Sequence, residues 1–316
     1  MYRELFTIPV LDLPVFGYGL MLVIGFLTAI ELARYLARRV GIDPDVPTNL
    51  GILALVSGVA GARIVYLLQY GGTYFDPSAG FVTNLVAAVD IRSGGLVYYG
   101  GFLGGFGVLF VYALLKKLPI RRTMDIAAPA LAIGIAFGRI GCLLNGCCWG
   151  ANCELPWALE FPYESPPYVE AWRNGEIDVP PELLVQTAEG DRLVPAEQAR
   201  TLPDLRALAE AQHSPAVHPT QLYSAITGFG IAAVVLLFLT LPHAAGQGLG
   251  LVMMLEGASR FVIEGLRIEP QYALGLTLSQ WLGVCVVLAG LALFSAVGPL
   301  AGVFKLERKP FMPQPA

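Results

Sequence analysis

The chain has 316 residues, of which 55% are hydrophobic and only 14% charged, against about 25% charged in an ordinary soluble domain. Together with a mean hydropathy of +0.63, this excludes a soluble globular enzyme. A net charge of -4 supplies no basic field of the kind that draws nucleic acid, so nucleic-acid binding is excluded as well.

Seven stretches are long enough to cross a bilayer, which takes roughly 20 apolar residues per helix. In chain order they cover residues 15–37, 49–70, 95–115, 124–144, 219–241, 247–266 and 276–303. No basic n-region and no small-residue cleavage site precede the first, which predicts an uncleaved start. The expected fold class is an all-α integral membrane protein, a seven-transmembrane-helix bundle with a small extracytoplasmic head insertion. Residues 1–144 would hold the first four helices, 145–217 the head, 218–303 the last three and 304–316 a cytoplasmic tail.

Basic residues set the expected orientation, because short cytoplasmic loops are enriched in Lys and Arg. Arg34, Arg38 and Arg39 end the first stretch, Lys116, Lys117, Arg121 and Arg122 separate the third from the fourth, and Lys305, Arg308 and Lys309 follow the seventh. They share one side if the N-terminus is outside and the C-terminus cytoplasmic. The acidic head then lies outside, with Trp149, Trp157, Phe161, Tyr163, Tyr168 and Trp172 as aromatic anchors and residues 180–211 as short helices broken by Pro. It either covers the outer mouth of the bundle or receives an extracytoplasmic macromolecule.

Ionisable groups at membrane depth are costly unless they are paired or face water. Arg63 lies in the second stretch, Arg139 in the fourth, and Arg260, Glu264 and Arg267 in the sixth. The last three fall at i, i+4 and i+7, one stripe on one helix face. Arg63 and Arg267 fit equally well as residues snorkelling to an interface. Arg139 and Arg260, from different helices, point to an anion site, and the commonest anion in a membrane is a lipid phosphate. Gly94, Gly95, Gly100, Gly101, Gly104, Gly105 and Gly107 crowd the third stretch, and Gly134, Gly138, Gly141, Gly146 and Gly150 recur along and after the fourth. They serve close helix packing or irregular backbone lining a cavity.

Cys142, Cys147, Cys148 and Cys153 lie within twelve residues, while Cys285 stands apart in the seventh stretch. On an oxidising side, the cluster reads as one or two disulfides pinning the start of the head. A tetrathiolate metal site and a reactive thiol at Cys147 are the alternatives.

The run Gly138-Arg139-Ile140-Gly141-Cys142-Leu143-Leu144-Asn145-Gly146-Cys147-Cys148-Trp149-Gly150 resembles the signature of the bacterial prolipoprotein diacylglyceryl transferases. Further matches follow in order: Gly17 to Leu20, Gly61-Ala62-Arg63 with Tyr66, Gly94-Gly95 with Tyr99-Gly100-Gly101, His218 to Tyr223, and Arg260 to Glu264 with Arg267. The resemblance implies a multi-pass enzyme of the bacterial inner membrane. It would move diacylglyceryl from phosphatidylglycerol to the lipobox cysteine thiol in a prolipoprotein signal peptide, releasing glycerol phosphate.

It also implies that Arg139 and Arg260 stabilise the departing phosphate, that Glu264 positions Arg260, and that Tyr18 contacts the lipid head group. Arg63, Gly100, Gly101, Asn145, Gly150, His218 and Arg267 would bind substrate. No metal and no cofactor is required. The chain departs from the family pattern at Tyr99, Cys142 and Cys147, where the family has His, Asn and Glu. The family His is a proton acceptor, and an unperturbed Tyr with a pKa of about 10 is a poor base at neutral pH. Tyr99, Cys147 and His218 are therefore the candidates for that role. The alternatives are a divergent member using another acceptor or lipid, and a non-catalytic lipid-binding protein.

Overall fold

The computed structural model describes residues 4–8, 13–74, 80–90, 95–187, 190–297 and 303–304. An antiparallel hairpin of β1 (Glu4–Ile8) and β2 (Leu13–Phe16) precedes α1 (Gly17–Arg39). Then come α2 (Asp45–Tyr74), α3 (Phe81–Val89), α4 (Tyr98–Leu115) and α5 (Ile120–Asn145). The head carries α6 (Pro166–Arg173), a 3-10 turn (Pro181–Leu183), β3 (Leu184–Thr187), β4 (Gly190–Leu193), α7 (Ala196–Thr201) and α8 (Pro203–Glu210). The long helices α9 (Thr220–Leu239), α10 (Gln247–Glu264) and α11 (Leu278–Val297) follow.

Each of the seven apolar stretches forms a helix. Five of these, α1, α2, α5, α9 and α11, are long and apolar enough to cross a membrane. Of the other two, α4 is short and α10 carries Glu256, Arg260 and Glu264. The protein is mostly helical and multi-pass, but not purely α. Within 180–211, where only short helices were expected, Leu184–Thr187 pairs antiparallel with Gly190–Leu193. Gly190 adopts the left-handed φ of +116° that the hairpin turn needs.

The described residues divide into two compact units, one within 1–29 and 128–303 and the other within 30–127 and 304–316. In the second unit, α2 and α4 pack backbone to backbone through small residues. A Cβ on Gly104 would lie 2.5 Å from the Ser57 carbonyl oxygen, and one on Gly100 would run into the Gly61 carbonyl and stand 2.7 Å from Val65. Lipid tails are as apolar as Leu, so such close contact, rather than water exclusion, holds membrane helices together.

Arg63, only 6% exposed, ties the short α3 to this pair. Its Nε donates to the Ala88 carbonyl at 2.8 Å, and its two terminal nitrogens donate to the carbonyls of Ala87 at 2.8 Å and Gly95 at 3.0 Å. Ala87 and Ala88 close the C-terminal turn of α3, where carbonyls lack helical partners and a cation is favoured.

In the first unit, α10 and α11 meet at Gly257 with Gly283 and at Gly250 with Gly290, each within 2.9 Å of a Cβ built on its partner. The start of α1 rests on α5 through Gly25 against Phe137, and Gly228 of α9 fits against Ala132 and Ala136 of α5. The head has its own core of Tyr163, Tyr168, Leu183, Val194 and Ala199. The Tyr163 hydroxyl donates to the Val194 carbonyl at 2.9 Å and lies 3.3 Å from that of Leu183. Burial pushes both Tyr163 and Tyr168 up to about 12.

Candidate functional site

The site is assembled where α5 ends. Gly146 takes a φ of +71°, its N–H donates to the Leu143 carbonyl at 3.2 Å, and the Cys147 N–H donates to the Cys142 carbonyl at 3.0 Å. This pair of bonds is a Schellman closure, which brings the side chain beyond the glycine onto the last full turn of the helix. Cys147 therefore comes back to Cys142. Cys148 follows with a φ of +62°, a conformation uncommon outside glycine.

Two fully buried residues of the first turn of α9 hold this loop. Thr220 Oγ1 donates to the Cys148 carbonyl at 2.7 Å, and Gln221 Nε2 donates to the Cys147 carbonyl at 2.8 Å. The sulfurs of Cys142, Cys147 and Cys148 consequently lie within 4.8 Å of one another. Hydrogen bonds from the Cys142 and Cys147 thiols, assisted by the charges of Arg267 and Arg139, hold the Cys148 thiol well below the ordinary thiol range.

All five cysteines are free thiols, so the expected disulfides are not formed. Cys153 stands apart from the trio because its N–H pairs with the Ala216 carbonyl at 2.9 Å, on a segment running alongside Val217. Cys285 is exposed on α11.

One face of α10 supplies most of the adjoining cavity. Glu256, Ser259, Arg260, Ile263 and Glu264 recur at helical spacing, Arg267 follows in the turn just past the helix, and Arg139, Cys148, Thr220 and Ser224 complete the lining. The cavity measures about 20 Å³, room for about one water molecule. A ligand head group must therefore displace its walls or enter from its open side.

Glu264, 4% exposed, pairs with Arg267 at 3.4 Å, and Arg267 also meets Glu269 at 3.1 Å and the Trp149 carbonyl at 3.4 Å. Arg260 instead lies 3.4 Å from Ser279 Oγ. Among the described residues, neither Arg139 nor Arg260 has a carboxylate within ion-pair distance.

The remaining expected residues fall as follows. Tyr18 backs onto Gly141, whose Cβ would stand 3.0 Å from its ring, and is 40% exposed. Asn145 is the last residue of α5. Gly150 donates to the His218 carbonyl at 2.9 Å, and a Cβ there would lie 2.7 Å from the Leu266 carbonyl oxygen. His218 Nδ1 lies 3.5 Å from the Tyr223 hydroxyl, which accepts from Trp157 Nε1 at 2.7 Å.

Tyr99, 67% exposed in the first turn of α4, belongs to the second unit with Arg63, Gly100 and Gly101. Gly100 and Gly101 lie on the seam with α2, and the Arg63 guanidinium holds backbone carbonyls. Sequence reasoning missed Glu256, Ser259, Thr220 and Ser224. Glu256 was findable, since it is ionisable, lies in an apolar stretch, and precedes Arg260 by one helical turn.

These features define a class: a multi-pass membrane protein whose apolar helices enclose a small cavity lined by three arginines, two carboxylates and a thiol. Residues 4–296 match the family model described as prolipoprotein diacylglyceryl transferase, and the chain belongs to that family. It is 28% identical to the phosphatidylglycerol–prolipoprotein diacylglyceryl transferase of Rhodopirellula baltica, covering 87% of this chain and 70% of that one. The proteins of the same name in Clostridium tetani (24% identical, covering 90% of this chain and 93% of that one) and Burkholderia cenocepacia (29%, covering 87% and 88%) are similarly related.

Proposed function

We propose that this chain transfers a diacylglyceryl group from phosphatidylglycerol to the lipobox cysteine thiol of a prolipoprotein. The observation that carries the reading is the pair Arg139 and Arg260, which line one cavity with no carboxylate within ion-pair distance among the described residues, Glu256 reaching them only through longer-range charge. The acceptor sulfur attacks the glyceryl carbon bonded to phosphate. The carbon–oxygen bond breaks, its electron pair leaves on glycerol phosphate, and a thioether forms. Two guanidinium groups in a water-poor site stabilise the charge that collects on the departing phosphate.

Glu264 and Glu269 hold Arg267 at the cavity edge, leaving Arg139 and Arg260 for the anion. Tyr18, Asn145 and Gly150 shape the donor side around α5, and Tyr99, Cys147 and His218 are the candidates to take the acceptor proton. Arg63, Gly100 and Gly101 act through the shape of the α2–α4 seam. In the bacterial inner membrane, the chain crosses seven times with its N-terminus outside. The head at residues 145–217 is external, and the tail from residue 304 is cytoplasmic.

Purified protein in detergent, given labelled phosphatidylglycerol and a lipobox peptide, tests the proposal by mass spectrometry. The peptide gains one diacylglyceryl group and glycerol phosphate appears in equal amount. Bound lipid with unmodified peptide would instead support the non-catalytic lipid-binding reading.

A further inference from the structure

Apart from Cys147 as a candidate proton acceptor, the three cysteines at the end of α5 make an arrangement that the transfer reaction does not call for. Two are brought together by the Schellman closure, and the third is aimed by its left-handed backbone. Both loop carbonyls are held by side chains of α9, with Thr220 2% and Gln221 0% exposed. The trio is thus positioned by backbone that a ligand need not organise. Among the described residues, no histidine or carboxylate joins the group.

We propose that Cys142, Cys147 and Cys148 form a three-coordinate site for a soft, thiophilic cation of the Cu(I) class. Thiolates select soft metals over hard ones, and metal–sulfur bonds of about 2.3 Å set three trigonal sulfurs about 4.0 Å apart. The present spacing, within 4.8 Å, is less than 1 Å from that value. Structural Zn(II) takes four ligands, whereas this group supplies three.

Binding replaces the thiol protons, which leave to solvent, and the resulting net negative charge faces Arg139 and Arg267 across the shared cavity. The site would share its arginines with the anion pocket, so a bound ion would weaken that pocket's positive field. The metal site itself does not depend on the transferase reading.

The test uses reduced full-length protein in detergent under anaerobic conditions, titrated with Cu(I) against a colorimetric Cu(I) chelator. One ion per chain is expected to be retained, with a thiolate-to-metal ultraviolet band and three sulfurs in the X-ray absorption spectrum. Cys147→Ser and Cys148→Ser each lose stoichiometric retention, while Cys153→Ser and Cys285→Ser keep it. Two-sulfur coordination in the wild-type protein would overturn the site, and that readout needs no variant to fold. Full retention by Cys147→Ser, or stoichiometric Zn(II) with no Cu(I), would overturn it too.

Discussion

Glu264 pairs with Arg267, three residues on, at 3.4 Å, while Arg260, one turn before it, faces Ser279. The only fully buried carboxylate of α10 thus pairs with the arginine that follows just past the end of that helix. Arg139 and Arg260, the cavity arginines with no carboxylate in ion-pair distance among the described residues, come from two separate family-like motifs. From this division of charge, the behaviour of the variants follows.

Arg139→Lys and Arg260→Lys keep the charge but lose the planar fork that matches phosphate. Each should lower transfer by on the order of 10²-fold, the scale of losing one preorganised donor to a developing anion, with unfolding temperature nearly unchanged. Glu264→Gln should instead act on stability, because breaking a buried ion pair costs roughly 3 kcal/mol. Near-wild-type turnover by both lysine variants would dismiss the phosphate clamp.

By the resemblance to the family pattern, Tyr99 stands where the family has its proton-accepting His. Tyr99→Phe deletes only the hydroxyl and should lower the rate by about 10²-fold if that group assists proton transfer, while Tyr99→His should keep or raise it. Equal rates for wild type and Tyr99→Phe, followed from about pH 6 to 9 across the His and Cys range, would transfer the role to His218 or Cys147.

The glycines of α4 should divide by what they face. A methyl on Gly100 meets backbone of α2, whereas one on Gly107 meets nothing within 4 Å. Gly100→Ala should destabilise by about 1–3 kcal/mol through overpacking. Gly107→Ala should be neutral or stabilising by about 0.4–1 kcal/mol through the unfolded chain. Matched unfolding curves in detergent for the two variants would contradict the close α2–α4 seam.

Tyr163 links the head to pH. Its folded pKa of about 12 stands above its ordinary value of 10.0, so the fold disfavours the phenolate. Its contribution is complete below about pH 10 and is lost as pH rises through about 12. Head unfolding followed by tryptophan fluorescence should weaken across that window and less so in Tyr163→Phe. The variant should also be less stable at neutral pH by about 1 kcal/mol, for the lost hydrogen bond. An unchanged alkaline midpoint in the variant would remove Tyr163 as the cause.

Topology can be read with reporters. One after Arg122 and one at Ala245 should be cytoplasmic, and those at Glu189 and Leu274 external. Ala245 and Leu274 on one side would strike α10 from the spans, and inverted labelling at Arg122 and Glu189 would reverse the orientation.

Helix positions, the intramembrane charges and the family motifs were legible in the sequence because they depend on local quantities. These are apolar length against bilayer thickness, and the i, i+4, i+7 spacing that sets Arg260, Glu264 and Arg267 on one face. Even Gly100 announced close packing, though not its partner on α2. Tertiary structure decided what those groups touch. Arg63 spends its donors on carbonyls about two dozen residues further along the chain, and Glu264 chooses Arg267 because the helix ends there and the chain turns back past Trp149.

The cysteines show the same divide. Their crowding is visible in the sequence, but the disulfides inferred from it are not formed. A left-handed glycine at the end of α5 gathers three sulfurs, while backbone pairing of Cys153 with Ala216 draws the fourth away. Which thiols meet depends on backbone direction and on distant hydrogen-bond partners, and neither is a property of residue order alone.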